Sequence, residues 1–383
     1  MEPIELRTKV YGFCLIAAVA IGVLGFNLLG SRAAQFDPTM PGLGRDTTAL
    51  GSSLFEGRVV SGYPSNAPVV AETARLFRQQ GHQVALWLGA SQVHAINDYA
   101  SGDELAVVYA NRAAAERGAS VRYVQISDPN ANLNEMLSAY LQLRQLGVRP
   151  DWIIVPLVYD DLREPSIRPG YLETLAPSLD ALRSEGGPGI ENLITERDRM
   201  SGEMPQRAPV DRSAVSGTPQ EQLEDYLVAH LEGTWEAYRN RNKVSALIEV
   251  EGRAAFMRVL MSGDRPFRID VPADMAQWNG RALDSIIQMA RVDGYRVLMY
   301  LQPYRPGEEL FHYDRQAYEA FAAATASRCA RDGVTLVDLS NLVPAELYGL
   351  TSDGQPDVFH FRDGGHRLLG GAVDRQLESV GLR

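Results

Sequence analysis

Lysine is nearly missing from this sequence: among 383 residues it occurs only at Lys9 and Lys243. No lysine follows a glycine, which excludes the glycine-rich loop whose lysine reaches a nucleotide's phosphates. Beyond the N-terminal segment, Lys243 is the one candidate for a Schiff base. Cysteine is equally scarce, with two residues. Cys14 lies in an apolar run and Cys329 in a helical stretch far from it, so no intrachain disulfide is expected. A cysteine-based zinc site is excluded, no His-Glu-x-x-His occurs, and no metal or organic cofactor is expected. Runs of basic residues are missing as well. With 48 acidic against 37 basic residues the formal charge is −11. Nucleic acid is excluded as a partner, because that affinity comes from neutralising phosphates. Length is not scarce: a chain of this size holds roughly two or three domains' worth of core and needs no disulfide or metal to stabilise it.

One hydrophobic run is long. Val10 to Gly30 reads VYGFCLIAAVAIGVLGFNLLG, without a charge and with a single amide, Asn27. As a helix it is about 30 Å long, enough to span a bilayer's hydrocarbon core. A cleavable signal peptide has an apolar core of only roughly 7–15 residues. Arg7 and Lys9 precede the run and Arg32 and Arg45 follow it, so the flanking charges are nearly balanced. Residues 10–30 are therefore expected to form a transmembrane anchor, the alternative being a long signal peptide cut near Ala33–Ala34. No lipobox surrounds Cys14, and no second apolar run of spanning length follows. Residues 31–64, rich in Gly, Ser and Thr, are expected to tether the anchor to a folded domain.

Beyond residue 64, short apolar runs alternate with helical patterns. Val84–Leu88, Val121–Ile126 and Asp151–Val158 read as strands, Glu104–Arg117 and Leu133–Leu146 as helices. After Arg163 the alternation stops. A charged, mostly helical stretch follows, containing the capping box Thr218-Pro219-Gln220-Glu221. It exceeds any loop of a compact domain, so 164–268 is expected to be an inserted helical lid or subdomain. Alternation resumes with helix Met275–Arg291, strand Tyr295–Leu301, helix Tyr313–Arg331, strand Thr335–Leu339 and a last helix from Gly364 to Val380. Residues 65–163 and 269–383 are thus expected to build an α/β domain, a doubly wound parallel sheet with helices on both faces. In that architecture the site lies at the carboxyl ends of the strands.

Gly89-Ala90-Ser91-Gln92 follows the first of these strands. A glycine there permits a sharp turn, and a serine at the start of a helix exposes its hydroxyl; the same serine could instead be an N-cap. Asp357-Val358-Phe359-His360 precedes the last helix. An acid three residues before a histidine, on a loop entering a helix, can hold the imidazole in one tautomer and free its other nitrogen to take a serine's proton. Locally, the pair could equally be surface polar residues. His366 is the rival base, His94 lies one turn from Ser91, and His82, His230 and His312 have no partner pattern.

Taken in order, LGASQ (Leu88–Gln92) after a strand and DVFHFRDGGH (Asp357–His366) before the final helix resemble the first and last blocks of the SGNH (GDSL-type) hydrolases. The resemblance covers the sheet segments, residues 80–163 and 275–382, and not the insertion. It implies a flavodoxin-like sheet, Ser91 as nucleophile, His360 as general base and Asp357 as its orienting acid. Gly89-Ala90-Ser91-Gln92-Val93 lacks the second glycine of the α/β-hydrolase elbow, so that rival fits less well. The middle blocks depart from the family. Asp160 stands where the family has the asparagine of its oxyanion hole, and an ionised carboxylate there would repel an oxyanion. The family's glycine after the second strand is missing from Ser127-Asp128-Pro129-Asn130-Ala131-Asn132, where Asn130 or Asn132 could supply an amide donor or merely serve the turn. The backbone N–H of Ser91 is the remaining donor. Gln92 and Tyr304, the latter in Gln302-Pro303-Tyr304-Arg305 at the same sheet end, are candidates for contacting substrate.

A Ser-His-Asp set implies acyl transfer through a covalent acyl-enzyme, to water or to an alcohol. By the resemblance, an anchored SGNH domain with a substantial insertion is similar to bacterial proteins that work beside a membrane-bound O-acyltransferase and decorate cell-envelope polymers. The expected substrate is an acylated envelope glycan or a small acyl ester, and the expected partner such an acyltransferase. The expected location is the inner membrane, with residues 1–9 cytoplasmic and the bulk periplasmic. Two alternatives stay open. One is a non-catalytic binding or assembly factor of an acylation complex, which Asp160 and the missing glycine favour; the other is a secreted esterase for small esters.

Overall fold

A computed structural model describes residues 47–163, 167–185, 187–203, 271–307, 314–351 and 356–381, besides Gly25 and Leu28. The chain divides into two compact units, Met1–Pro41 with Gln206–Arg265 and Gly42–Pro205 with Pro266–Arg383. Every element named below belongs to the second. Gly25 and Leu28 apart, the anchor expected over 10–30 lies outside the described residues, as do the early tether and the capping box that begins at Thr218. Among the residues described, no helix is long and apolar enough to cross a membrane.

Regular structure begins earlier than expected. β1 (Thr48–Ala49), β2 (Ser52–Phe55) and β3 (Arg58–Gly62) fall inside the stretch read as tether. β2 and β3 form an antiparallel hairpin closed by Glu56 and Gly57, both with left-handed φ, 49° and 74°. Positive φ at both central positions is what a two-residue turn needs to follow the twist of its strands. Glutamate rather than Asn or Asp holds the first position, so the turn does not announce itself. α1 (Ala67–Gln79) leads into β4 (Gln83–Gly89), followed by a single helical turn, α2 (Ser91–His94), and β5 (Ala95–Ile96), which pairs with β1. Then come α3 (Ala106–Glu116), β6 (Val121–Ser127), α4 (Leu133–Gln145) and β7 (Trp152–Leu157). β6 and β7 are buried at every position and β4 at all but its first, as continuous runs in parallel strands covered on both faces require.

After β7, α5 (Pro169–Leu175), α6 (Leu179–Leu182) and α7 (Pro188–Glu203) occupy the start of the expected lid. They are not set apart from the domain. Leu172, Leu175, Leu179, Ile190, Leu193 and Ile194, on helical spacing, are buried in the main core. α8 (Ala273–Val292) packs against α7, and a file of buried amides joins the helices. Asn192 Nδ2 donates to Asn134 Oδ1 (3.0 Å), Asn134 Nδ2 to Asn279 Oδ1 (2.8 Å) and Asn279 Nδ2 to the Leu162 carbonyl (2.9 Å). The domain therefore does not stop at residue 163: α5–α7 are integral to it.

β8 (Arg296–Leu301), α9 (Arg315–Asp332), β9 (Thr335–Asp338), the β10–β11 hairpin (Tyr348–Leu350 and Pro356–Phe361) and α10 (Asp363–Ser379) complete the unit. The main sheet runs β2-β3-β6-β4-β7-β8-β9, parallel throughout except for β2–β3. α3 and α10 pack on each other, and α4 packs on α1 and α8, so two groups of helices cover the sheet. The chain lays β6 on one side of β4 and then crosses to lay β7 on the other. Connections diverge at the carboxyl end of β4, the place where sheets of this kind bind ligands. Ser91 stands two residues beyond that strand.

α10 lies so close to α3 that a Cβ at Gly370 would stand 2.3 Å from the Ala106 carbonyl oxygen and 2.9 Å from the Ala110 nitrogen. At Gly371 the nearest neighbour is the flexible end of Arg375, at 3.3 Å. Gly370→Ala is expected to lower the unfolding free energy by about 1–3 kcal/mol, the usual cost of overpacking. Gly371→Ala is expected to leave it unchanged or raise it by up to about 1 kcal/mol through helix propensity. Urea unfolding of the two variants checks both.

Candidate active site

In the turn after β4, Gln92, Val93 and His94 are buried while Ser91 stays partly exposed. The buried three pin the turn and leave the serine facing outward. Gly89 matters here for its size, since a Cβ would lie 2.2 Å from Val93 Cγ2. Ala90 occupies the N-cap position, without a side-chain cap bond, so Ser91 is not spent as a cap. Its Oγ faces His360 Nε2 at 2.9 Å.

The acid and the base sit on a strand, not on the loop expected: β11 carries both and pairs antiparallel with β10. Ordinary alternation would send residues three apart to opposite faces. β11 is irregular, however, with a register shift in its pairing. Asp357 Oδ1 accepts from the backbone N–H of Phe359 and of His360, each at 2.9 Å, and this Asx-type bend brings the two side chains together. His360 Nδ1 then donates to Asp357 Oδ2 at 2.9 Å, and Asn97 Nδ2 donates to the same oxygen at 3.0 Å. Asp357 is 2% exposed and His360 7%. Burial alone would raise the pKa of Asp357; the charge of His360 and the hydrogen bonds outweigh it and hold the carboxylate below its usual range. An ionised acceptor keeps the proton on Nδ1 and leaves the Nε2 lone pair facing the Ser91 hydroxyl, which donates to it.

The remaining candidates are placed elsewhere. Gln92, expected at the substrate, is 2% exposed and turns inward. Its Nε2 donates to the carbonyls of Pro303 (2.8 Å) and Phe359 (2.9 Å), tying the nucleophile turn to the base strand. Tyr304, also expected at the substrate, is buried with its ring centroid 5.1 Å from that of Phe359 and 5.8 Å from that of Tyr318, apolar packing behind β11. Asn132 is the N-cap of α4: its Oδ1 accepts from the Glu135 N–H (3.0 Å), and its own N–H donates to Glu135 Oε2 (3.3 Å), a capping box. Asn130 is exposed in the preceding turn with φ 57°, left-handed geometry that asparagine tolerates. Asp160 is ion-paired with Arg163 at 2.9 Å. Its neighbour Asp161 turns inward to accept from the Val158 N–H at 2.9 Å, and burial pushes its pKa well up. Asn130 thus belongs to a turn, Asn132 caps a helix through its oxygen, and Asp160 belongs to an ion pair.

His366, the rival base, is fully buried beside Phe361, with Nε2 facing the Ala95 carbonyl at 3.1 Å. His94 is buried as well, with Nδ1 2.7 Å from Ser127 Oγ. Burial lowers the pKa of each from 6.5 to about 4. Ser127 Oγ also accepts from Gln125 Nε2 (2.7 Å), which is shared with Ser61 Oγ (3.1 Å) and the Val93 carbonyl (3.0 Å). Spacing in the sequence does not reveal this polar layer beneath the serine turn. Its signal is a glutamine inside the apolar strand VRYVQIS, where a buried amide must find partners. Among the described residues no cluster of His, Cys, Asp and Glu could hold a metal ion.

No protein-family model and no curated protein matches the chain. Solved structures that align with it include a protein of Agrobacterium tumefaciens str. C58 provisionally described as an arylesterase, at 10% identity and TM-score 0.35, covering 78% of this chain and 99% of that one. The inhibitor-bound aryl esterase of M. smegmatis aligns at 12% identity and TM-score 0.34, again over 78% and 99%. An active-site mutant of a family two carbohydrate esterase from Clostridium thermocellum aligns at 10% identity and TM-score 0.31, over 79% of this chain and 65% of that one. At such TM-scores these likenesses add nothing to the geometry of the site.

Both buried histidines are neutral in the folded protein and titrate near 6.5 once unfolded, so the unfolded chain binds more protons between pH 6.5 and about 4. Their contribution to stability is full above that window and falls as the pH drops through it, by on the order of 3 kcal/mol per histidine. Guanidinium unfolding across the window checks this. His366→Gln, which keeps a donor for the Ala95 carbonyl, is expected to flatten the dependence.

Proposed function

We propose that this chain is a serine acyl hydrolase or acyltransferase of the SGNH type, working through an acyl-enzyme at Ser91. One observation carries the reading: Ser91 Oγ to His360 Nε2 and His360 Nδ1 to Asp357 Oδ2 form a hydrogen-bonded file, 2.9 Å at each link. The file stands at the strand end where the connections diverge. We read the sheet as the doubly wound, flavodoxin-like form, which the order β6-β4-β7-β8-β9 supports.

As Ser91 Oγ attacks an acyl carbonyl, His360 Nε2 takes its proton. The imidazolium lies against ionised Asp357, which stabilises it without taking the proton. Collapse of the tetrahedral intermediate passes that proton to the leaving alcohol and leaves the acyl group on Ser91 as an ester. Water or an acceptor hydroxyl then gives its proton to His360 and attacks the ester, and His360 returns that proton to Ser91 Oγ as the acyl product leaves. We assign the oxyanion to the backbone N–H of Ser91, which opens the helical turn after β4; Asp160, ion-paired with Arg163, offers no donor.

We read the substrate as an O-acyl, acetyl-like group of a cell-envelope glycan, or a small acyl ester. In this reading residues 10–30 anchor the chain in the inner membrane, the bulk is periplasmic, and a membrane-bound O-acyltransferase is the partner. The uncharged run from Val10 to Gly30 supports the anchor, and a partly exposed serine suits a bulky acceptor. Two features favour a non-catalytic assembly factor instead: Asp160 stands where the family has an amide donor, and the family's glycine after the second strand is missing from 127–132. The intact Ser-His-Asp file weighs against it.

The full-length protein is expected to react with a fluorophosphonate probe, and Ser91→Ala to abolish labelling. His360→Ala and Asp357→Asn are expected to slow it on the order of a thousandfold or more. A folded wild-type protein that resists the probe would leave the assembly factor as the better reading. Turnover of the acyl-enzyme separates the two reactions: acceleration by an added sugar acceptor marks a transferase, indifference a hydrolase.

A further inference from the structure

We infer that Asn97 is the positioning residue of the Asp357–His360 pair, holding the carboxylate in the plane that the base needs; the inference rests on the hydrolase reading above. Asn97 follows β5, is fully buried, and reaches the β10–β11 hairpin in three places. Its backbone N–H donates to the Phe361 carbonyl (3.1 Å), and its Nδ2 donates both to Asp357 Oδ2 (3.0 Å) and to the Leu350 carbonyl (3.2 Å). One side chain therefore clasps the strand that carries the acid and the strand beside it.

The amide's orientation follows from its partners. Both acceptors lie at Nδ2, and a flipped amide would set its oxygen against a carboxylate and a carbonyl. Asn97 Oδ1 is buried and has no hydrogen-bond partner among the described residues. An unpaired buried oxygen is destabilising, and its retention calls for a reason. The reason offered here is that the N–H groups are needed at Asp357 and Leu350. Two further features fit the chain around this residue. A Cβ at Gly349 would lie 2.0 Å from Asn97 Oδ1, so β10 has room for Asn97 only because glycine stands there. Asp98 turns the chain at once with a left-handed φ of 50°, and Arg362 holds it by an ion pair at 2.5 Å.

The consequence for the reaction is geometric. Asp357 Oδ1 is fixed by two backbone N–H groups. Oδ2 is shared between His360 Nδ1 and Asn97 Nδ2. With all four donors in place the carboxylate cannot swing as His360 gains and loses its proton. Without Asn97, Oδ2 is held by the moving imidazole alone.

The test compares full-length wild type with Asn97→Ala, Gly349→Ala and the double variant, using a chromogenic acyl ester, the fluorophosphonate probe and the downfield proton resonance of His360 Nδ1–H. Asn97→Ala is expected to lower kcat on the order of ten- to a hundredfold, the worth of one hydrogen bond to a charged group. KM is expected to stay within about twofold, because the interaction acts on the base and not on substrate binding. The resonance is expected to shift or broaden. Gly349→Ala, which displaces the amide without deleting it, is expected to produce the same changes, and it serves if the truncation folds poorly. In the Asn97→Ala background it is expected to add nothing further, since the space is already empty. A folded Asn97→Ala protein with wild-type kcat and an unmoved resonance overturns the inference while labelling of Ser91 leaves the hydrolase reading standing. A wild-type protein that resists the probe, yet whose His360 resonance moves in the variants, overturns the hydrolase reading and keeps the positioning role.

Discussion

Gln92 is cut off from bulk water, so its Nε2 must donate inside the protein, and the acceptors it finds are the carbonyls of Pro303 and Phe359. These belong to the loop after β8 and to the strand bearing the base, 211 and 267 residues away in sequence. Leaving such a donor unpaired would cost about 1–3 kcal/mol. An arrangement in which the serine turn, the β8 loop and β11 meet is therefore favoured over those in which they drift apart. The Ser91–His360 contact is one hydrogen bond at a partly open site. Gln92, one residue along and fully enclosed, supplies the constraint that keeps its length.

The same principle recurs around the site. Asp357 bends its own strand by accepting from two backbone N–H groups, and without that bend acid and base would point to opposite faces. Gln125 joins Ser61, Ser127 and Val93 beneath the serine turn, and the file Asn192–Asn134–Asn279 binds the inserted helices to the domain. Apolar burial supplies most of the free energy that holds these elements together. It is non-directional, however, and tolerates small displacements. Buried hydrogen bonds do not, and their geometry makes the alignment of three side chains specific.

Several parts of this arrangement are legible in sequence. VALWL, DWIIVPLV and the run around Tyr295–Leu301 read as strands because a parallel strand covered on both faces is apolar throughout, a pattern that needs no partner to be recognised. The helices between them are legible through their spacing. Residues 48–62 are not, because a Glu-Gly turn hides the hairpin and β2 buries Ser53 while exposing Leu54, the reverse of what polarity suggests. The first inserted helices misread for a different reason: their leucines mark an apolar face without saying which core receives it. Asp357 and His360 stand out by chemistry and spacing, yet a loop is the natural reading of a strand kinked by its own aspartate. Asn130 and Asn132 qualify equally as donors by type, and only the capping partner Glu135 sets Asn132 apart.

By itself the sequence determines the alternation of strands and helices, the strand end at which a serine stands, and the acid-x-x-histidine set before the last helix. Apolar continuity and side-chain chemistry are local properties, readable wherever they occur. Only the tertiary structure decides that Ser91 and His360 lie 2.9 Å apart, that Gln92 looks inward, that Asp160 faces Arg163 and that Asn97 reaches Asp357. Each of these depends on the order of the strands in the sheet and on which buried donors compete for the same acceptors, and no local pattern encodes that competition.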